Sequence, residues 1–116
     1  MANGIFLDAI TTVRVSLKKL GFTAVVDPRN VRPGTVFIEL PTFDSFNYNI
    51  ADIRITIRVI AAPPGNSDAT DWILQAVDKI MNSEMAVLDG RPGMATYGNQ
   101  DLPTYDLTIG VAMRRN

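Results

Sequence analysis

From Asp52 to Val59 the chain alternates without a break. Ile53, Ile55, Ile57 and Val59 take one side, and Asp52, Arg54, Thr56 and Arg58 take the other. A strand turns successive side chains to opposite faces, so this run makes a sheet with one apolar and one polar face. Whatever else the chain does, it must cover the isoleucine face. Near the C-terminus Tyr105, Leu107, Ile109, Val111 and Met113 alternate with Asp106, Thr108, Gly110 and Ala112, a second strand of the same kind. Thr23–Val26 and Thr35–Leu40 read as shorter strands, the first ending in the turn-rich Asp27-Pro28-Arg29-Asn30 and the second stopped by Pro41. Phe46, Tyr48 and Ile50 run on even numbers whereas the buried set runs on odd ones, which predicts a bulge or bend near residues 50–52.

Two amphipathic helices are available to cover the sheet. Phe6, Ile10, Val13, Leu17 and Leu20 share one helical face over residues 4–20, with Asn3 as a cap, Lys18 and Lys19 in the last turn and Gly21 as the stop. Ala69, Trp72, Ile73, Ala76, Val77 and Ile80 share another face, over a helix that starts at Ser67 or Asp68 and runs to about residue 83. Residues 84–104 carry the weakest signal. Gly90-Arg91-Pro92-Gly93 and Gly98-Asn99-Gln100-Asp101 read as turns flanking a short strand at Met94–Tyr97. The expected order is α-β-β-β-α-β-β. The fold class is α+β, a two-layer sandwich: a mostly antiparallel sheet of four to five strands with two helices on one face. Residues 1–116 make one domain.

Composition narrows the chemistry. The chain has no His and no Cys, which removes the commonest general base, the commonest metal ligand and every thiolate or disulfide. Eleven basic against 12 acidic residues give a net charge of −1, without the basic footprint of a nucleic-acid binder or a membrane-surface helix. No apolar run reaches the ~20 residues of a membrane span. Met1-Ala2-Asn3-Gly4 lacks a basic signal-like start, so we expect use in the cytoplasm or inside a particle assembled there.

Each candidate reactive pattern has a plainer reading. Ser16 and Lys19 have the S-x-x-K spacing of some serine acylases, but the companion motifs are missing and two solvated helix residues explain it. Asp68 and Asp71 form the closest carboxylate pair, and a first helical turn favours negative charge anyway. Gly90-Arg91-Pro92-Gly93 lacks the phosphate-loop frame. Trp72 lies on an apolar helix face, where an aromatic belongs to the core. Gly110, mid-strand, marks a bulge or a close neighbouring backbone, from this chain or another subunit. The sequence therefore predicts no catalytic, metal or cofactor site. Phe43, Phe46 and Tyr48, set among polar residues, are the leading candidates for contact with a partner, since interface centres favour aromatics. A hairpin folded on its own sheet would look the same. Arg29, Arg32, Arg54, Arg58, Arg114 and Arg115 complete the candidate interface set.

The element order, the segment Asp27-Pro28-Arg29-Asn30-Val31-Arg32-Pro33, the strand ending in Val59-Ile60-Ala61-Ala62-Pro63, the Trp-bearing second helix and Leu102-Pro103-Thr104-Tyr105-Asp106-Leu107-Thr108 go together. The combination resembles the tail terminator (tail completion) proteins of long-tailed bacteriophages, in particular those infecting actinobacteria, and covers nearly the whole chain. The resemblance implies a structural virion protein and no active site. It implies a homo-oligomeric ring, commonly of six subunits, at the head–tail junction. The ring caps the head-proximal end of the tail tube, stops its polymerisation and joins it to the head connector. Implied partners are further copies of the chain, the major tail tube protein and the connector or stopper protein. DNA passes through the lumen unread, and no membrane or cofactor is involved. Assembly would take place in the host cytoplasm. Alternative readings are a connector or stopper protein, a cytoplasmic protein-binding or ligand-binding domain unrelated to phages, and a small enzyme using only carboxylates, Ser or Lys.

Overall fold

The computed structural model describes residues 5–44, 50–61, 67–97 and 100–114. In chain order these form α1 (Ile5–Lys19), β1 (Ala24–Val25), a single 3-10 turn (Pro28–Asn30), β2 (Val36–Ile38), β3 (Thr42–Asp44), β4 (Ile50–Ile60), α2 (Ser67–Met81), β5 (Ala86–Tyr97) and β6 (Gln100–Arg114). The strand order is β1-β2-β4-β6-β5, with β3 also paired to β4. Among the described residues only β1 and β2 run parallel; the other pairs are antiparallel. The fold is α+β, as expected, with one additional short strand. Val36–Ile38 pairs with residues 57–59 of β4 and Thr42–Asp44 with residues 52–54, so β2 and β3 occupy one sheet position, interrupted around Pro41. Proline has no N–H for the ladder, which accounts for the break.

β4 and β6 are the spine. They pair residue for residue from Ile50↔Arg114 to Ile60↔Thr104 without a slip. The bulge expected near residues 50–52 is therefore absent from this ladder. The core lies between this spine and the two helices. Ile53, Ile55, Ile57 and Val59 meet Ala9, Val13 and Leu17 of α1, Ala69, Ile73, Ala76 and Ile80 of α2, and Leu107 and Ile109 of β6. Each fully buried Ile or Leu contributes roughly 1.5–3 kcal/mol, so this face supplies most of the driving force for folding.

The helix ends follow local rules. After α1, Phe22 donates its N–H to the Leu17 carbonyl at 3.0 Å and Gly21 donates to Lys18 at 3.0 Å. Gly21 has φ +93°, the left-handed stop predicted for it. α2 ends without a glycine: the Ser83 hydroxyl donates to the Ile80 carbonyl at 2.6 Å and accepts from the Met85 N–H at 3.2 Å. α2 begins at Ser67, so Ser67 and Asp68 lie within it, and its cap position, like Asn3, falls outside the described residues.

The largest correction concerns residues 84–104. Gly90-Arg91-Pro92-Gly93 is not a turn. It runs through the middle of β5, paired with Leu107, Asp106, Tyr105 and Thr104. Gln100 and Asp101, also expected in a turn, belong to β6, while Gly98 and Asn99 lie outside the described residues. Pro92 is tolerated because β5 is an edge strand. The glycines meet a steric need. A Cβ on Gly90 would stand 2.7 Å from Leu107 Cδ2 and 3.0 Å from Tyr105 Cε1. A register shift between Val87 and Asp89 supplies the bulge, one strand away from Gly110. Gly110 has Leu88 as its close neighbour, with Cδ1 3.2 Å from where a Cβ would be, so the crowding comes from the chain's own side chain.

Candidate functional site

With both helices on one face, the rest of the sheet's surface holds the candidate residues. At one end of the other face lies a second, small cluster: Val31, Ile60 and Leu102 are buried, with Val25 and Phe37 packed against them. Parallel strands need a crossover. Residues 26–35 make the one between β1 and β2, and Val31 is its plug against the sheet. The segment is held by its own sequence. Asp27 accepts from the Arg29 N–H at 2.9 Å and pairs with the Arg29 guanidinium at 2.9 Å. Those two bonds hold the Asp27 carboxyl below its ordinary range, the side-chain bond more strongly, and the carboxylate raises Arg29 in turn. Arg32 donates to the carbonyls of Arg29 (3.0 Å) and Val31 (2.8 Å). Pro33-Gly34 then makes a turn closed by Thr35 N–H to the Arg32 carbonyl at 3.1 Å, with Gly34 at φ +83°. Arg29 and Arg32 thus brace this crossover, and Arg29 remains exposed at the surface.

Arg54 and Arg58 lie on the sheet face opposite the two helices. Arg58 Nε donates to Asp106 Oδ1 at 3.0 Å across the β4–β6 ladder, and Arg91 of β5 is the next residue in that row. The two side chains of the pair are 40% and 30% exposed, so the bridge contributes roughly 0–1 kcal/mol. Arg54 is exposed opposite Thr42 and Gly110. Phe43 stands opposite Ile53 in β3, and Arg114 opposite Ile50 in β6. Phe46, Tyr48 and Arg115 lie outside the described residues. The candidate set is therefore not one cluster. It divides between the crossover (Arg29, Arg32), the open sheet face (Arg54, Arg58) and the β3 and β6 positions of Phe43 and Arg114.

The other candidate patterns settle into structural places. Ser16, expected to be solvated, is buried: its hydroxyl donates to Glu84 Oε1 at 3.4 Å, tying α1 to the segment after α2, while Lys19 is exposed as expected. Trp72 packs half-buried against the core. Among the described residues no group of three or more acids could hold a metal ion, and no helix is long and apolar enough to cross a membrane.

One surface went unread in the sequence. Between α2 and the β5–β6 hairpin lies a cleft of about 510 Å³, lined by Leu74, Val77, Met81, Val87, Tyr105 and Leu107, with Asp78 and Asp89 also on its wall. Leu74, Met81 and Leu88 are each about half exposed there. The signal existed: Asp71, Leu74, Asp78 and Met81 recur at spacings of 3, 4 and 3, a second stripe on α2 beside its core face. Reading GRPG as a turn hid the strand that forms the opposite wall.

No family model and no curated protein matches this chain.

Proposed function

We propose that the chain is a structural subunit of a phage virion, a tail terminator. It forms a ring of copies, six by resemblance, that caps the head-proximal end of the tail tube, stops its growth and joins it to the head connector. The observation that carries this reading is the meeting of its two motif segments. Val31, from Asp27–Pro33, and Leu102, from Leu102–Thr108, are buried in the same small cluster. The resemblance thus follows a packed unit rather than two separate strings. A ring subunit needs two unlike surfaces that meet head-to-tail until rotation closes the circle. The open sheet face, the outer face of the helix layer and the α2–β5 cleft supply unlike surfaces. In this reading DNA crosses the lumen without base contacts, consistent with the balanced charge.

The test is electron microscopy of lysates from a phage with this gene disrupted. Overlong or irregular headless tubes are expected. Tails of normal length beside separate heads would make the protein a connector or stopper instead, and intact particles would end both readings.

A further inference from the structure

We propose that the chain packs head-to-tail on itself through two complementary surfaces: the outer face of α1 in one copy sits in the α2–β5 cleft of the next. The inference rests on the ring reading and names the pair of surfaces that would close the ring.

The argument is one of matched chemistry. The cleft combines exposed apolar side chains with acids: Leu74 at 50% and Met81 at 55% exposure flank Asp78 on α2, and Asp89 adds a second carboxylate from β5, while Asp71 continues the α2 stripe beyond the cleft. The face of α1 turned away from the sheet is its counterpart. Leu7 and Val15 are 49% and 47% exposed, and Arg14 and Lys18 stand beside them. Leu7, Thr11, Arg14 and Lys18 recur at spacings of 4, 3 and 4, so they form a single stripe, as Asp71, Leu74, Asp78 and Met81 do. The charges of opposite sign thus lie on opposite partners, each next to an apolar residue it can border. Of the other charges on the two helices, Lys79 is over the Phe22 ring at 5.7 Å, Lys19 adds to the basic end of α1, and Asp8, partly buried in the first turn, is the one acid on the outward side of α1. Among the described residues none of Arg14, Lys18, Asp71, Asp78 and Asp89 forms an ion pair within the chain. Each is free for a neighbour. Because the two surfaces differ, the contact is heterologous and propagates to a ring or a filament rather than stopping at a dimer. Charge complementarity of this sort fixes register and suppresses wrong partners.

The experiment uses the full chain and sedimentation velocity over a range of concentration and salt. The wild type assembles beyond a dimer, and assembly weakens when salt rises from about 50 to 500 mM, because solvent-accessible pairs are screened. An acid-reversed variant (Asp78→Lys with Asp89→Lys) and a base-reversed variant (Arg14→Glu with Lys18→Glu) each lose association by at least about tenfold, since both surfaces then carry one sign. An equimolar mixture of the two reassembles, because every contact in an alternating ring is again between opposite charges. Leu74→Asp also prevents assembly, whereas Leu40→Asp, at an exposed residue outside both surfaces, leaves it intact. Melting temperatures of all variants serve as the folding check. A wild type that stays monomeric overturns the proposal. So does an assembly indifferent to both reversals, or a mixture that fails to reassemble. An indifferent assembly would refute these surfaces while leaving the ring standing, and the ring's role is read separately from the tail phenotype.

Discussion

Gly90 and Gly110 are both glycines inside strands, yet they answer to different neighbours. At Gly90 an added Cβ would stand 2.7 Å from Leu107 Cδ2 and 3.0 Å from Tyr105 Cε1, and Leu107 is packed in the core at 1% exposure, so Gly90→Val should destabilise the fold by about 1–3 kcal/mol in urea denaturation. At Gly110 the neighbour is Leu88, which is 53% exposed and can swing away, so Gly110→Ala should stay within about 0.5 kcal/mol of wild type in the same measurement. Asp27 is the residue whose charge state has a local consequence. Its native pKa lies below the ordinary 3.8, so the bonds it makes are fully present above that value and are lost as the pH falls through the lowered native one. NMR titration should find the Asp27 carboxyl midpoint below 3.8, and Arg29→Ala should return it toward that value. An Asp27 midpoint unchanged by Arg29→Ala would mean that the backbone bond alone holds the carboxylate.

At the scale of elements, the crossover between β1 and β2 depends on a side chain far along the sequence. Leu102 is fully buried against Val31, and truncating it to Ala should cost about 2–5 kcal/mol. The effect should be uneven in space. Hydrogen exchange should quicken most at the Val31, Gly34 and Thr35 amides, whose bonds lie within the crossover or tie it to Ile60, and least in the centre of β4. Uniform acceleration would mean that the second cluster is not a separate unit of stability. The helices and the central strands were legible because their periods, 3.6 and 2, are strong over many residues. β5 was not, because Gly and Pro ordinarily punctuate a chain and here they sit within a strand. The reason is tertiary: Gly90 makes room for Leu107 and Tyr105 of the neighbouring strand, and Pro92 lies on an edge strand.

At the scale of the whole molecule, one sheet face is roofed by helices, and among the described residues the other carries only the crossover, at one end. On the helix side, a chain of net charge −1 carries exposed Arg14 and Lys18 on α1 and Asp78 and Asp89 at the α2–β5 cleft. That arrangement separates two classes of outcome. Substitutions in the buried set should alter stability, while reversals at Arg14, Lys18, Asp78 and Asp89 should alter assembly and leave stability within about 0.5 kcal/mol, because all four are exposed. Of the candidate interface residues, Arg29 and Arg32 show how a functional reading and a local one meet at the same side chain, since both hold the crossover's shape.

Periodicity and composition alone determined the α+β class, both helices, the two central strands and most of the residues that face the main core, since each follows from local geometry and the burial of apolar area. The absence of His and Cys likewise needed no structure. Only tertiary packing decided that β2 and β3 share a position, that β5 passes straight through two glycines and a proline, and that Val31 meets Leu102. These depend on contacts between residues far apart in sequence, where the presence of a neighbour, not local preference, determines what a residue can be.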